Sequence, residues 1–412
     1  MSETSDDRLS FCLDRMRDRA QDVLNIDLQK LSKRSRIETL QTLRKQLAEK
    51  RREEFLERLK RFSSYNARHI DNNYSGNNSQ DYNNSSDSED SSALSVMFNS
   101  RYFSIKSFVS KNITSILVWP DFIIATDTHI REEATALCNS LVCVRPEGHR
   151  VLVLVDNFCA IEFSKNGKIR RRFKVHFTRG PTILDCVLLD YNKKLEVKDL
   201  HYYVSDILMY NGCLLASSEA ACRIFIMRSR LEEAYISRPI GEPIFTPLEY
   251  KECTRESMID AYYSMNDLEH EKDSLVFVDK NAGYIGGYNP NWLCWRDGNT
   301  SKYASTCEVR AKVIVEGSFL KTLDDVIIGS VPDGVNLEDS DIATIRIHDV
   351  NLKDTKITSF QICEQTLTRG HKARRVADPM RKIIRAWLNT KTNPEFSFNR
   401  LIDTVSTFSN KF

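Results

Sequence analysis

Arg145-Pro146-Glu147-Gly148-His149-Arg150-Val151-Leu152-Val153-Leu154-Val155-Asp156-Asn157-Phe158-Cys159-Ala160-Ile161-Glu162-Phe163-Ser164-Lys165-Asn166-Gly167 organises the middle of the chain. Arg150 to Val155 reads as a strand, because branched apolar side chains pack well on a pleated surface and the run is too short for a helix. Asp156-Asn157 supplies the turn, Cys159 to Ser164 the returning strand, and Asn166-Gly167 a second turn into a third strand. Outward from this hairpin the pattern repeats. Ile183 to Leu189 pairs with Tyr202 to Leu208, which Asn211-Gly212 closes. Ser257 to Leu268 is helical, and Leu275 to Val278 and Trp292 to Arg296 are strands. Further strands follow at Ala311 to Val315, Ile342 to Ile347 and Ile357 to Cys363, then helices at Met380 to Asn389 and Arg400 to Phe408. The class is α+β, with antiparallel sheets and peripheral helices.

The chain has 412 residues, 41% of them apolar, enough for one large domain or two ordinary ones. No apolar run reaches the roughly eighteen residues of a membrane span, and the start, MSETSDDRLS, is acidic rather than basic then apolar. The expectation is a protein of the nucleus and cytoplasm with no membrane partner. Eleven cysteines are scattered without a Cys-x-x-Cys pair and read as reduced thiols. No His cluster suits a metal, and no cofactor is expected.

The net charge of +2 conceals a segregation. Leu28 to Phe62 holds twelve Lys/Arg against five Glu, whereas Asp71 to Ser92 holds five acidic residues and no basic one. Leu40, Leu43 and Leu47, then Phe55, Leu59 and Phe62, recur at helical spacing, and Ser35 with Glu38 forms a capping box. A basic amphipathic helix is therefore expected over 27–65. Residues 71–92 contain six Asn and seven Ser and no Val, Ile, Leu, Met or Phe, a composition that cannot offset the entropy of ordering. The expected organisation is a tail (1–26), the basic helix (27–65), a linker (66–98), the main domain (99–300) and a C-terminal extension (301–412).

The strand order resembles the nucleotide-binding domain of messenger-RNA guanylyltransferases and polynucleotide ligases. Arg145 to Arg150 looks like the superfamily's first motif, Lys-x-Asp-Gly-x-Arg. Leu184-Asp185-Cys186-Val187 looks like the third, Asp273-Ser274-Leu275-Val276-Phe277 the fourth and Cys294-Trp295-Arg296 the fifth. Arg145 stands where a nucleophilic Lys is needed, and a guanidinium stays protonated. Val187 replaces a metal-supporting Glu, and Cys294 replaces a phosphate-contacting Lys. A nucleotide-sized fold without this apparatus predicts a binder. Among such folds, one that carries a basic N-terminal helix resembles the snurportin family. Thr182 to Cys186, Tyr203 to Met209 and Phe225 to Leu231 look like that family's central block, and Phe163 to Gly167 like its cap-proximal hairpin.

The resemblance implies a capping-enzyme-like fold that binds the trimethylguanosine cap of U snRNA in small nuclear ribonucleoproteins and links it to importin-β. Two Trp rings would act as stacking plates, because a methylated guanine is cationic and an aromatic face attracts it by roughly 1–3 kcal/mol per base. Trp119 and Trp295 match the family's plates, with Trp292 an alternative to Trp295. Lys165 matches a residue near the cap phosphates, and Arg150 lies on the same phosphate path. The importin-binding residues implied are Lys33, Arg34, Arg36, Leu40, Leu43, Arg44, Lys45, Leu47, Lys50, Arg51 and Arg52. Leu9, Phe11, Leu13 and Met16 suit a peptide for an exportin. The rival expectations are a divergent guanylyltransferase or RNA ligase whose nucleophile is Lys165 or Lys168, and a general RNA cap binder without a transport role.

Overall fold

The hairpin quoted above lies inside a seven-stranded sheet. The structure is a computed structural model that describes residues 46, 49, 50, 52–54, 56, 57, 59, 60, 106, 109, 112, 113, 116–127, 129–189, 195–263, 270–304, 308–332, 334, 335, 337–352, 356–366, 377–391 and 397–409. In chain order its elements are β1 (Val118–Phe122), α1 (Ile130–Cys138), β2 (Ser140–Pro146), β3 (His149–Asp156), β4 (Cys159–Ser164), β5 (Ile169–Lys174), β6 (Thr182–Leu188), β7 (His201–Tyr210), β8 (Cys213–Leu214), α2 (Ala220–Ile236), β9 (Ile244–Pro247), β10 (Lys251–Glu252), α3 (Arg255–Tyr263), β11 (Lys272–Asp279) and β12 (Gly287–Trp295). There follow β13 (Val309–Glu316), β14 (Phe319–Lys321), β15 (Ile327–Ser330), β16 (Ile342–Asn351), β17 (Lys356–Thr366), α4 (Met380–Thr390) and α5 (Phe398–Ser409).

The described residues form three sheets. The first runs β1-β12-β11-β2-β10, antiparallel except for β1 beside β12. The second runs β5-β4-β3-β6-β7-β8, with β9 joined in parallel to β7. The third runs β15-β14-β13-β16-β17. The turns follow from backbone chemistry. Asn157 and Phe158 have φ of +47° and +60°, and Asn211 and Gly212 have +47° and +81°, the left-handed pair that a two-residue hairpin with the natural strand twist requires. The expected α+β class of antiparallel sheets with peripheral helices is what forms.

The first two sheets face each other across a shared core. Val118, Cys143, Val276, Val278 and Trp292 from one meet Leu152, Leu154, Ile161, Phe163, Ile183 and Leu208 from the other. The outer face of the second sheet is covered by α2 through Met227 and Leu231. The outer face of the first sheet is covered by α1, α3 and α5. Residues 301–412, expected as a separate extension, divide their packing: the third sheet makes its own core with α4, while α5 returns to the first sheet, where Phe398 stacks on Tyr262 at 4.3 Å. The period-2 reading found these strands but could not show that the last helix belongs to the first core.

The described positions of 46–60 are helical, and Leu56 and Leu59 are buried in the core between the first two sheets. Arg52 donates to the Ser217 carbonyl at 3.3 Å. The end of the basic stretch is therefore seated on the domain. Lys33, Arg34, Arg36, Leu40, Leu43, Arg44, Lys45, Leu47 and Arg51, the tail and the linker lie outside the described residues. Among the described residues no helix is long and apolar enough to cross a membrane.

Candidate functional site

A narrow cleft of about 10 Å³ opens between the first two sheets, lined by Pro120, Cys143, Arg145, Arg150, Ser205, Leu248, Tyr250, Val276 and Trp292. Strand alternation explains who lines it. On β12, Trp292 pairs with Val278 of β11 and Trp295 with Leu275; Val278 belongs to the core between the sheets and Leu275 to the helix-covered core. Residues three apart on a strand project to opposite faces. Trp292 therefore reaches the cleft and Trp295 does not.

Trp295 is fully buried. Its ring lies 5.0 Å from that of Phe398, its Nε1 donates to Asp297 at 2.8 Å, and the Arg385 guanidinium sits over it at 3.8 Å. Burial lowers the Arg385 pKa to about 10. Trp119 lies in register with Tyr288, and it is the next residue, Pro120, that enters the cleft wall. The structure thus does not bring Trp119 and Trp295 together at one pocket. Of the two residues weighed on β12, Trp292 is the one beside the cleft.

The motif positions do converge. Asp185, fully buried, accepts from Arg150 Nε at 3.0 Å and from the Tyr284 hydroxyl at 2.9 Å. Arg150 also donates to the Val118 carbonyl, tying β3 to β1, and the Asp185 carboxylate raises its pKa against the effect of burial. Arg150 is thus a buried clamp as well as a wall residue. Asp273 holds Arg296 at 2.5 Å, and its carboxylate lies 3.8 Å from Arg145 Nε. A Cβ on Gly148 would meet the Leu188 carbonyl at 2.5 Å and the Val187 side chain at 2.6 Å. Only glycine lets the first-motif turn sit against the third-motif strand.

Two buried donors in the wall have no hydrogen-bond partner among the described residues, Arg145 Nε and Trp292 Nε1. Such a donor costs about 1–3 kcal/mol, which a ligand acceptor would return. Burial pushes the Cys143 thiol up to about 12, so it is an inert wall rather than a nucleophile. Tyr250, whose hydroxyl donates to the Ser205 carbonyl at 2.9 Å, is the second aromatic of the cleft. It was missed in the sequence because it follows a short strand ending at Pro247 and carries no periodic signal. Lys165 is exposed in the turn between β4 and β5, at the same end of the sheet as Arg150, but is not among the lining residues.

Residues 132–296 match the family model described as Snurportin1, m3G cap-binding domain. Over that segment, under half of the chain, the sequence is similar to the snurportin cap-binding domain. The match runs from within α1 through β12, taking in Arg145, Arg150, Lys165, Tyr250 and Trp292 and leaving out Trp119 and the third sheet. No curated protein matches. Among solved structures, a chain titled Pmar-Lig_PreS3 is similar at 14% identity and a TM-score of 0.34 over 61% of this chain and 66% of that one, just under two thirds of its length. The ATP-dependent DNA ligase of bacteriophage T7 in complex with ATP is similar at 12% identity and 0.31 over 61% of this chain and 100% of that one. The Chlorella virus DNA ligase-adenylate is similar at 9% identity and 0.30 over 62% and 100%.

Proposed function

We propose that the cleft binds the trimethylguanosine cap of U snRNA without catalysis, and that the protein is an import adaptor whose N-terminal basic helix engages importin-β. The observation that carries the cap reading is the Trp292 ring standing with Arg145 in an apolar slot. An aromatic face suits a cationic methylated guanine. The unspent donors Arg145 Nε and Trp292 Nε1 suit its carbonyl and phosphate oxygens. Non-catalysis is supported by chemistry: Arg145 occupies the place of a nucleophilic Lys and cannot surrender its proton, Val187 offers no carboxylate, and Lys165 and Lys168 lie in the exposed turn beyond the cleft wall. Shuttling between nucleus and cytoplasm, and an exportin peptide around Leu9 to Met16, belong to the same proposal. The seating of Arg52, Leu56 and Leu59 on the domain leaves the stretch before them as the part that offers basic side chains to a carrier.

Fluorescence titration with trimethylguanosine cap analogue tests the cleft, with monomethyl cap and GTP as competitors. Trp292→Leu keeps apolar bulk in the core and removes the ring face. The expected loss is about 1–3 kcal/mol, roughly 5- to 150-fold in Kd, while Trp119→Leu leaves binding unchanged. A covalent nucleotidyl adduct on Lys165 or Lys168 would replace this reading with the enzymatic one.

A further inference from the structure

From Lys165 to Gly180 the chain carries seven Lys/Arg (165, 168, 170, 171, 172, 174 and 179) and no acidic residue. This run is the β4–β5 turn, the edge strand β5, which among the described residues pairs only with β4, and the stretch that follows it. Two of its cations are anchored from beneath: fully buried Glu162 takes Arg171 at 2.9 Å and Arg170 at 3.4 Å, while accepting from the Tyr202 hydroxyl at 2.6 Å. Lys165, Lys168, Arg172 and Lys174 are exposed, and among the described residues no salt bridge holds them. Arg172 lies opposite Ile161 and Lys174 opposite Cys159. Directly opposed residues share a face, and Ile161 belongs to the core between the two sheets, so this row lies on the cleft's side of the sheet.

The row begins where the cleft ends. Ser164, beside Lys165, pairs with Val151, beside Arg150. The pKa of His149 at the start of β3 is lowered by burial and then by Arg170 and Lys165, so the turn and the cleft mouth share one positive field. From Ile169 to Lys174 a strand advances about 17 Å, room for more than one phosphate. Charges on an edge strand also prevent sheet-to-sheet pairing, but charges of either sign would serve that purpose. One sign along the whole row, continuous with a nucleotide cleft, fits a polyanion.

We infer that β5 and its preceding turn form a backbone track for the RNA body of the capped molecule, with Lys165 and Lys168 nearest the cap and Arg172 and Lys174 further along. The inference rests on the reading of the cleft as a cap site. Single-stranded RNA is favoured over an acidic protein because the track starts where the 5′ triphosphate of a bound cap would leave the cleft. Contacts of this kind read phosphates and not bases, so they add affinity without sequence preference.

The test uses the full chain, a capped dinucleotide, a capped twelve-nucleotide RNA and the same RNA uncapped, each measured by anisotropy across a salt series. Each phosphate contact contributes a salt slope of about 0.7 for single strands, so Arg172 and Lys174 together are worth about 25-fold at 0.1 M relative to 1 M salt. The double variant Arg172→Ala/Lys174→Ala is expected to lose that factor on the capped RNA, lower its salt slope by about 1.4, and leave the dinucleotide unchanged. Capped RNA binding no tighter than the dinucleotide, or an advantage that survives the double variant, overturns the track. An acidic peptide that binds through Arg172 and Lys174 where RNA does not reassigns the row to a protein. If the dinucleotide fails to bind while uncapped RNA binds and the variant weakens it, the cap reading falls and the track stands.

Discussion

Trp295→Ala is expected to lower the folding stability by about 3–5 kcal/mol and to leave the residual folded protein with an unchanged cap affinity. The indole fills the centre of the helix-covered core, against Phe398 of α5. Its loss leaves a cavity between a strand and a helix that approach from sequence positions about a hundred residues apart. It also uncovers the Arg385 guanidinium, whose burial is offset by the ring face, and leaves Asp297 without its indole donor. Trp295→Phe restores most of the volume and should recover most of the stability. Denaturant unfolding of the two variants, beside cap titration below the unfolding transition, separates a core residue from a stacking plate. If Trp295→Ala lost cap affinity with its unfolding midpoint unmoved, the assignment of the two faces of β12 would be reversed.

The alternation rule that decides this was available from sequence, yet it could not be applied without knowing which face of β12 looks inward. Trp292 and Trp295 have the spacing that separates faces in a strand, so both could never line one pocket. What the sequence lacked was the partner on each side: β11 contributes Val278 beside Trp292 and Leu275 beside Trp295, two apolar residues indistinguishable in composition. The motifs were legible because their spacing reflects contacts made within the two central sheets, and Arg150, Asp185, Asp273 and Arg296 meet through ion pairs. Tyr250 was illegible because it enters the cleft from the link between β9 and β10, and Pro120 because it stands at a register shift within β1, where no period announces direction. The hairpin at Asn211 was plain from turn chemistry, and the one expected at Asp156-Asn157 turns one residue later, at Asn157 and Phe158. The helix α2 was not read as a helix: its buried positions include Arg223, whose charge breaks the apolar stripe while its guanidinium pairs with buried Asp206 at 2.9 Å.

Arg381→Ala is expected to cost about 3–5 kcal/mol, the penalty for removing one partner of a buried ionic cluster, and to split a single unfolding transition into two. Arg381 stands on α4, which packs on the third sheet, and reaches across to the first. Its Nε donates to the Phe122 carbonyl at 2.7 Å and lies 3.3 Å from Asp121, and its Nη2 meets Glu133 of α1. Glu133 in turn accepts from the backbone of Ile124 at 3.1 Å and Ala125 at 2.9 Å. With the cation gone, burial already raises the Glu133 pKa, so the carboxylate takes up a proton instead of remaining paired. The loss should therefore be partly relieved at acid pH and full at neutral pH. Arg381→Met/Glu133→Gln, which removes both charges at similar volume, should recover much of the stability, since a buried pair often gains little over an apolar replacement. Differential scanning calorimetry at two pH values reads all three outcomes. A single unshifted transition for Arg381→Ala would mean that this cluster carries none of the coupling, and that the third sheet is held to the first by other ties, such as those of Arg385 and Asn389 to the Arg296 carbonyl.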